Sequence, residues 1–170
     1  MILLGLGSNL QSRYGNRFDN IDLAISSLSG YGLKIIKQSS YYESPSYPNK
    51  ENPKFINVVV LAETDLPPTD LASVLIFVEE KLERKRSKKN DPRTCDIDII
   101  DYLNKTTSFK YENFTFKVPH ENLHLRNFVL LPLKEIHPNW KHPETGEFID
   151  TLIKNLSVEE RKSILKIENS

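Results

Sequence analysis

Asp96 and Asp98 stand two residues apart in the run Asp91-Pro92-Arg93-Thr94-Cys95-Asp96-Ile97-Asp98-Ile99-Ile100. Its second half is apolar and β-prone, and in a strand the side chains alternate faces. Both carboxylates then project from one face, and Cys95, Ile97 and Ile99 from the other. Two adjacent carboxylates repel each other and are costly to bury. A hard divalent cation relieves both problems, and Mg2+ is typically held by one or two carboxylates plus substrate phosphates. Just upstream lies a cationic stretch of Arg84, Lys85, Arg86, Lys88, Lys89 and Arg93. Metal-binding acids beside many cations suit a polyphosphate substrate. The competing reading of an Asp-x-Asp pair alone is an edge strand with two solvated aspartates.

The elements that must carry these residues follow from periodicity. Residues 1–7 read as a short buried strand closed by Gly7-Ser8-Asn9. Phe18, Ile21, Ile25 and Leu28 recur at helical spacing over 17–29, and Gly30-Tyr31-Gly32 ends that helix. A second strand spans 33–43. Residues 44–54 hold three prolines and no periodicity, which marks a loop of the length that usually carries function. A third strand, 55–64, contains Val58-Val59-Val60. Pro67-Pro68-Thr69-Asp70 starts a second long helix, whose stripe is Leu71, Val74, Leu75, Val78 and Leu82. Residues 84–92 are charged and lack apolar anchors, so they should be mobile. The Asp96–Asp98 strand comes next. An irregular hairpin is expected over 104–117. A loop, a short helix and a further short strand are expected over 118–137, and an amphipathic helix with a tail over 150–170. The core order β-α-β-β-α-β predicts an α+β fold of ferredoxin-like type, an antiparallel sheet with two helices packed on it.

Length and charge bound the function. One domain accounts for 170 residues, and 23 basic residues balance 23 acidic ones. A neutral chain is a poor candidate for nucleic-acid or membrane-surface binding. The single cysteine, Cys95, cannot form an intramolecular disulfide and reads as a buried core thiol in a reducing compartment. The apolar N-terminus lacks a basic flank, so it is neither a signal peptide nor a membrane span. A cytoplasmic protein is expected.

Four motifs together carry a resemblance over roughly residues 1–150. They are Gly7-Ser8-Asn9-Leu10; Ser44-Pro45 followed by Phe55-Ile56-Asn57; Pro92-Arg93-Thr94-Cys95-Asp96-Ile97-Asp98-Ile99; and Val118-Pro119-His120 with Arg126-Asn127-Phe128 and Pro132-Leu133. In order and spacing the chain resembles the 6-hydroxymethyl-7,8-dihydropterin pyrophosphokinases of folate synthesis. The resemblance implies a domain over 1–150, with 151–170 as its C-terminal helix and tail. It implies transfer of the terminal two phosphoryl groups of ATP to a pterin hydroxymethyl group, releasing AMP, with two Mg2+ ions held by Asp96 and Asp98. Arg84 and Arg93 would stabilise transition-state charge. Glu79, expected on the exposed flank of the second helix, would contact ATP together with Arg84, Arg86, Arg93, Ile99, His120 and Arg126. Phe55 and Phe128 would sandwich the pterin, Asn57 would read its edge, and Ser44, Pro45 and Tyr47 would line its pocket beside Asp96. Lys85, Lys88 and Lys89 read better as a solvated helix end. Some relatives are fused to dihydropteroate synthase, so fusion to or association with that enzyme is an implied partnership.

The chain also departs from the family pattern. Glu83 replaces a glycine, Asn90 a tryptophan and Glu121 an aromatic residue. Thr115 and Lys117 replace basic and hydroxyl residues, and Ile76 a polar one. Three rival readings stand beside the resemblance. An RNA-recognition module would need exposed aromatics on its central strands, where this chain has Val58-Val59-Val60. A metal-dependent nuclease or other phosphotransferase would use the aspartates and arginines but not Phe55, Asn57 and Phe128. A non-catalytic relative is separated from an enzyme only by turnover.

Overall fold

The computed structural model describes residues 1–168. Residues 169 and 170, the end of the expected tail, lie outside the described residues. Strand β1 (Ile2–Ser8) lies between β4 (Phe55–Glu63) and β5 (Asp96–Tyr102), antiparallel to both. Beyond β4 come β2 (Lys34–Gln38) and β3 (Tyr41–Ser44), each paired with a different part of β4. Where one strand was expected over 33–43, the chain breaks at Ser39 and Ser40. The Ser39 hydroxyl accepts the Val59 N–H at 3.0 Å, and Ser40 donates its N–H and hydroxyl to Glu135 at 3.0 and 2.8 Å. Ser39 keeps one backbone bond, its N–H donating to Val59 O at 2.9 Å, and side-chain bonds take the place of the rest of the ladder.

Alternation gives this sheet two cores. Ile2, Leu4, Leu6, Ile56, Val58, Val60, Ile97 and Ile99 pack beneath α1 (Arg17–Gly30) and α2 (Pro68–Lys81). Helix α1 begins with a capping box, Asn16 and Asp19 exchanging backbone contacts, and α2 begins with Pro68 in its first turn. Leu3, Val59, Leu61 and Ile100 pack on the opposite face beneath α3 (Asn127–Ile136) and α4 (Ile149–Lys154). Ile100 has no partner in the β1 register, so it forms a bulge in β5. Next to it Asp101, buried, accepts the Trp140 Nε1–H at 2.8 Å.

Helix α2 closes with two crossing bonds. Glu83 N–H donates to Glu80 at 2.9 Å and Arg84 N–H to Glu79 at 3.1 Å. Glu83 takes the left-handed conformation this closure requires, at φ 67°. That position favours glycine, and a side chain there costs about 1–2 kcal/mol.

Three expectations change downstream. The hairpin is regular, β6 (Thr107–Tyr111) pairing with β7 (Phe114–Val118) over five residues each. After Val118, which ends β7, residues 119–137 contain a 3-10 turn at Leu123–Leu125 and the ten-residue α3, and no further strand. The C-terminal segment is two short helices, α4 and α5 (Val158–Lys162), followed by β8 (Leu165–Ile167), which pairs with β3. Three residues are too few to show a period, so β8 was invisible in the sequence.

Candidate active site

The site occupies one end of the sheet face on which α3 lies. Strand register builds it. Gly7 is paired with Asp96 on one side and Asn57 on the other; Gly5 is paired with Asp98 and Val59. Directly opposed residues share a face. Asp96 and Asn57 therefore flank a backbone strip that carries no side chain. A β-carbon on Gly7 would lie 3.4 Å from both Asn57 Oδ1 and Phe55 Cδ1. The glycines of β1 thus form the floor of a cleft, and Asp96 and Asp98 project into it as alternation predicted. Cys95, Ile97 and Ile99 are buried on the other face.

On one side of the aspartates lies a cavity of about 250 Å3 between the free edge of β5, α2 and the β6–β7 hairpin. Leu75, Ile76, Ile99, Phe116 and Val118 supply its apolar lining; Glu79, Arg84, Arg86, Asp96, Asp98, Lys117 and His120 supply its polar lining. Ile97 N–H turns away from β1 and donates to Glu79 Oε1 at 2.8 Å. By the same alternation the main-chain groups of Ile99 face this cavity.

The arginines are already paired. Arg84 Nη1 lies 2.8 Å from Asp96 Oδ1 and 2.8 Å from Glu79 Oε1. Arg93 Nη1 is 3.5 Å from Asp96 Oδ2, and Arg126 Nη1 donates to Asp98 Oδ2 at 3.0 Å. Arg86 binds the second oxygen of Glu79 and lies 4.5 Å from the Phe114 ring centroid. Glu79 is therefore not on an exposed flank: it is only 3 % exposed, held between two arginines and the β5 backbone. Burial nevertheless pushes its pKa up to about 7, with Arg84 pulling the other way. The start of the 84–92 segment is anchored by these pairs, whereas Lys85, Lys88 and Lys89 are exposed, as the solvated-end reading expected. Asp98 is raised above the usual carboxylate range, by desolvation at the cleft floor and then by Asp96, against the pull of Arg126.

His120 is held below the usual imidazole range by burial and by Arg126. Its Nδ1 lies 3.0 Å from the Asn122 N–H, and a ring that accepts there carries its proton on Nε2. Nε2 lies 3.2 Å from Arg126 Nη2. In that tautomer both groups are donors, and an anion bound beside them would accept from both.

On the other side of the aspartates lie Phe55 and Asn57. Asn57 is buried, and its Nδ2 donates to Ser44 Oγ at 2.9 Å and Tyr42 O at 3.2 Å. That fixes the amide and aims Oδ1 towards Gly7. Arg93 lies 5.8 Å from the Phe55 ring centroid and Arg126 5.7 Å from that of Phe128. Ser44 is buried and Pro45 partly so, but Tyr47 is 81 % exposed and is not drawn into the cleft. One participant went unassigned in the sequence: Asn9, buried after β1. Its Oδ1 accepts the Arg93 N–H at 2.8 Å and its Nδ2 donates to Pro53 O at 3.0 Å, joining the Arg93 backbone to the 44–54 loop. The Gly7-Ser8-Asn9-Leu10 motif was the available signal.

Comparison with known proteins defines the class. Residues 3–138 match the family model described as 7,8-dihydro-6-hydroxymethylpterin-pyrophosphokinase (HPPK). The chain belongs to this family. A 2-amino-4-hydroxy-6-hydroxymethyldihydropteridine pyrophosphokinase of Synechocystis is 34 % identical over 155 residues, covering 91 % of this chain and 75 % of that protein. The Aquifex aeolicus protein of the same name is 39 % identical over 142 residues, covering 84 % of this chain and 83 % of its own. A Plasmodium falciparum HPPK-DHPS crystal structure superposes with a TM-score of 0.75 at 17 % identity, a likeness of fold alone. It covers 99 % of this chain, which spans 46 % of that longer one.

Proposed function

We propose that this chain transfers the pyrophosphoryl group of ATP to the hydroxymethyl group of 6-hydroxymethyl-7,8-dihydropterin. The carrying observation is the cross-strand row Asp96, Gly7, Asn57: an acid of the type that holds Mg2+ and an amide that can read a pterin edge flank one bare strip of backbone. Family membership supports the reaction. The reading favours neither a nucleic-acid module nor a nuclease, since neither uses the Phe55, Asn57 and Phe128 group.

ATP enters the cavity beside β5, its base against the apolar lining of Ile76, Ile99 and Phe116. Its phosphates run towards the aspartates. Arg84, Arg86, Arg93 and Arg126 exchange their carboxylate partners for phosphate oxygens, which guanidinium groups grip bidentately. His120 and Arg126 hold one phosphate between two donors. The pterin lies on the Asn57 side, with Phe55 and Phe128 against its faces, Asn57 Oδ1 accepting from its edge, and Ser44 and Pro45 around it. Its hydroxyl oxygen attacks the β-phosphorus. The bond from that phosphorus to the α,β-bridging oxygen breaks, AMP leaves with that oxygen, and the hydroxyl proton passes to solvent. Positioning and charge stabilisation supply most of the acceleration in such transfers.

Asp96 and Asp98 fit Mg2+ by donor type. Among the described residues no third His, Cys, Asp or Glu joins them in a metal-holding group, so substrate phosphates would complete the coordination. Two ions are proposed; when bound they would polarise the phosphates and lower the hydroxyl pKa. A ferredoxin-like frame is supported by the strand order β5-β1-β4 with β2 and β3 beyond it. The buried Cys95 supports a reducing cytoplasm, and no helix among the described residues is long and apolar enough to cross a membrane. Association with a DHPS is proposed by analogy with the Plasmodium protein. The test is 31P NMR of a reaction with ATP, Mg2+ and the pterin. A pterin carrying two coupled phosphorus signals together with AMP is expected; ADP with a singly phosphorylated pterin would overturn the proposal.

A further inference from the structure

Glu83 holds a position suited to glycine and uses its side chain there. It is the left-handed residue that closes α2, at φ 67°. From that turn its carboxylate reaches Arg13. Arg13 N–H donates to Oε2 at 3.2 Å, and Arg13 Nε lies 3.2 Å from Oε1. Arg13 sits in the tight turn after β1, which is closed by Ser12 N–H to Gly15 O at 3.0 Å and Gly15 N–H to Ser12 O at 3.2 Å. Its guanidinium is braced by the Tyr14 hydroxyl at 2.7 Å and lies 4.9 Å from the Tyr14 ring centroid. One main-chain and one side-chain donor meet the two carboxylate oxygens, so direction as well as proximity is specified. The next residue is Arg84, which bonds both Glu79 and Asp96.

We infer that Glu83 and Arg13 form a positioning device for Arg84. The pair ties the base of the 84–92 segment to the turn after β1 and sets the direction in which the segment leaves α2. Its kinetic consequence rests on the proposed pyrophosphoryl transfer, but the tether itself is read without turnover. The two sides oppose each other: glycine at 83 would relax the backbone and lose the tether. Stability and positioning therefore separate in one variant.

The experiment uses the full chain and the variants Arg13→Gln, Glu83→Gly and the double. Trypsin cleavage between Lys85 and Lys89 is followed without nucleotide, beside Tm and the KM for ATP. Cleavage should be about two- to fivefold faster in Glu83→Gly, the scale of an exposed charge pair. It should be faster to a smaller degree in Arg13→Gln, which keeps the main-chain contact, and no faster in the double than in Glu83→Gly. Tm should rise in Glu83→Gly while its KM for ATP rises by the same factor as cleavage. A purely structural role predicts that this more stable variant is cut more slowly and keeps its KM. Unchanged or slower cleavage in Glu83→Gly, or multiplied effects in the double, would overturn the inference. Absence of AMP from the wild type would sink the proposed function alone, because the cleavage rates still decide the tether.

Discussion

Glu79→Gln asks which force wins at a buried carboxylate flanked by two arginines. Gln keeps the shape and can still accept the Ile97 N–H, but it cannot ionise. Burial raises Glu79 from 4.5 to about 7, outweighing Arg84 and Arg86. A carboxyl whose folded pKa is raised favours folding in its protonated form. Its contribution is complete below the unfolded value and is lost as pH climbs through the folded one. At about 1.36 kcal/mol for each tenfold change in proton affinity, the span from 4.5 to about 7 corresponds to about 3 kcal/mol. The stability of the wild type minus that of Glu79→Gln should therefore fall by about 3 kcal/mol between pH 4.5 and pH 8. Urea unfolding of both proteins in EDTA, at several pH values across that range, measures the difference; titrations not coupled to Glu79 cancel. A difference that stays constant would show that Glu79 does not titrate between pH 4.5 and pH 8. One that grows with pH would contradict the raised pKa as well, and would mean the arginines hold Glu79 as a fully formed ion pair at every pH.

Three further outcomes follow from the same geometry. Asn57→Ala removes the acceptor aimed at Gly7, so the KM for the pterin should rise about tenfold while that for ATP holds; steady-state kinetics in both substrates checks it. Gly7→Val adds methyl groups beyond a β-carbon already 3.4 Å from Asn57 Oδ1 and Phe55 Cδ1. It should destabilise by about 1–3 kcal/mol, read by urea unfolding, and weaken pterin binding, read by calorimetry. Changing Lys85, Lys88 and Lys89 together to alanine should alter the KM for ATP by less than about threefold, since these side chains are solvated.

Much of the site was legible because period-2 alternation is local. Asp96 and Asp98 on one face and Cys95, Ile97 and Ile99 on the other required only a strand. The apolar stripes of α1 and α2 were equally local. What failed depended on distant partners. Glu79 lies among apolar helix positions, and nothing in its neighbourhood announces that Arg84 and Arg86 fold back to hold it in the core. The break at Ser39 and Ser40 needs Val59 and Glu135, and β8 needs β3. Asn9 acts through Arg93 and Pro53, far along the chain. The departure at Glu83 was visible as a residue type. Its physical meaning needed the left-handed turn and the contact with Arg13.

The most direct test of the account is AMP formation from ATP and Mg2+, with and without 6-hydroxymethyl-7,8-dihydropterin, in the wild type and in Asp96→Ala. Pterin-dependent AMP is expected in the wild type, with a loss of at least about a hundredfold in the variant, whose remaining carboxylate cannot complete the metal site. Pterin-dependent AMP at an undiminished rate in Asp96→Ala, or AMP that forms equally without pterin, would contradict the account.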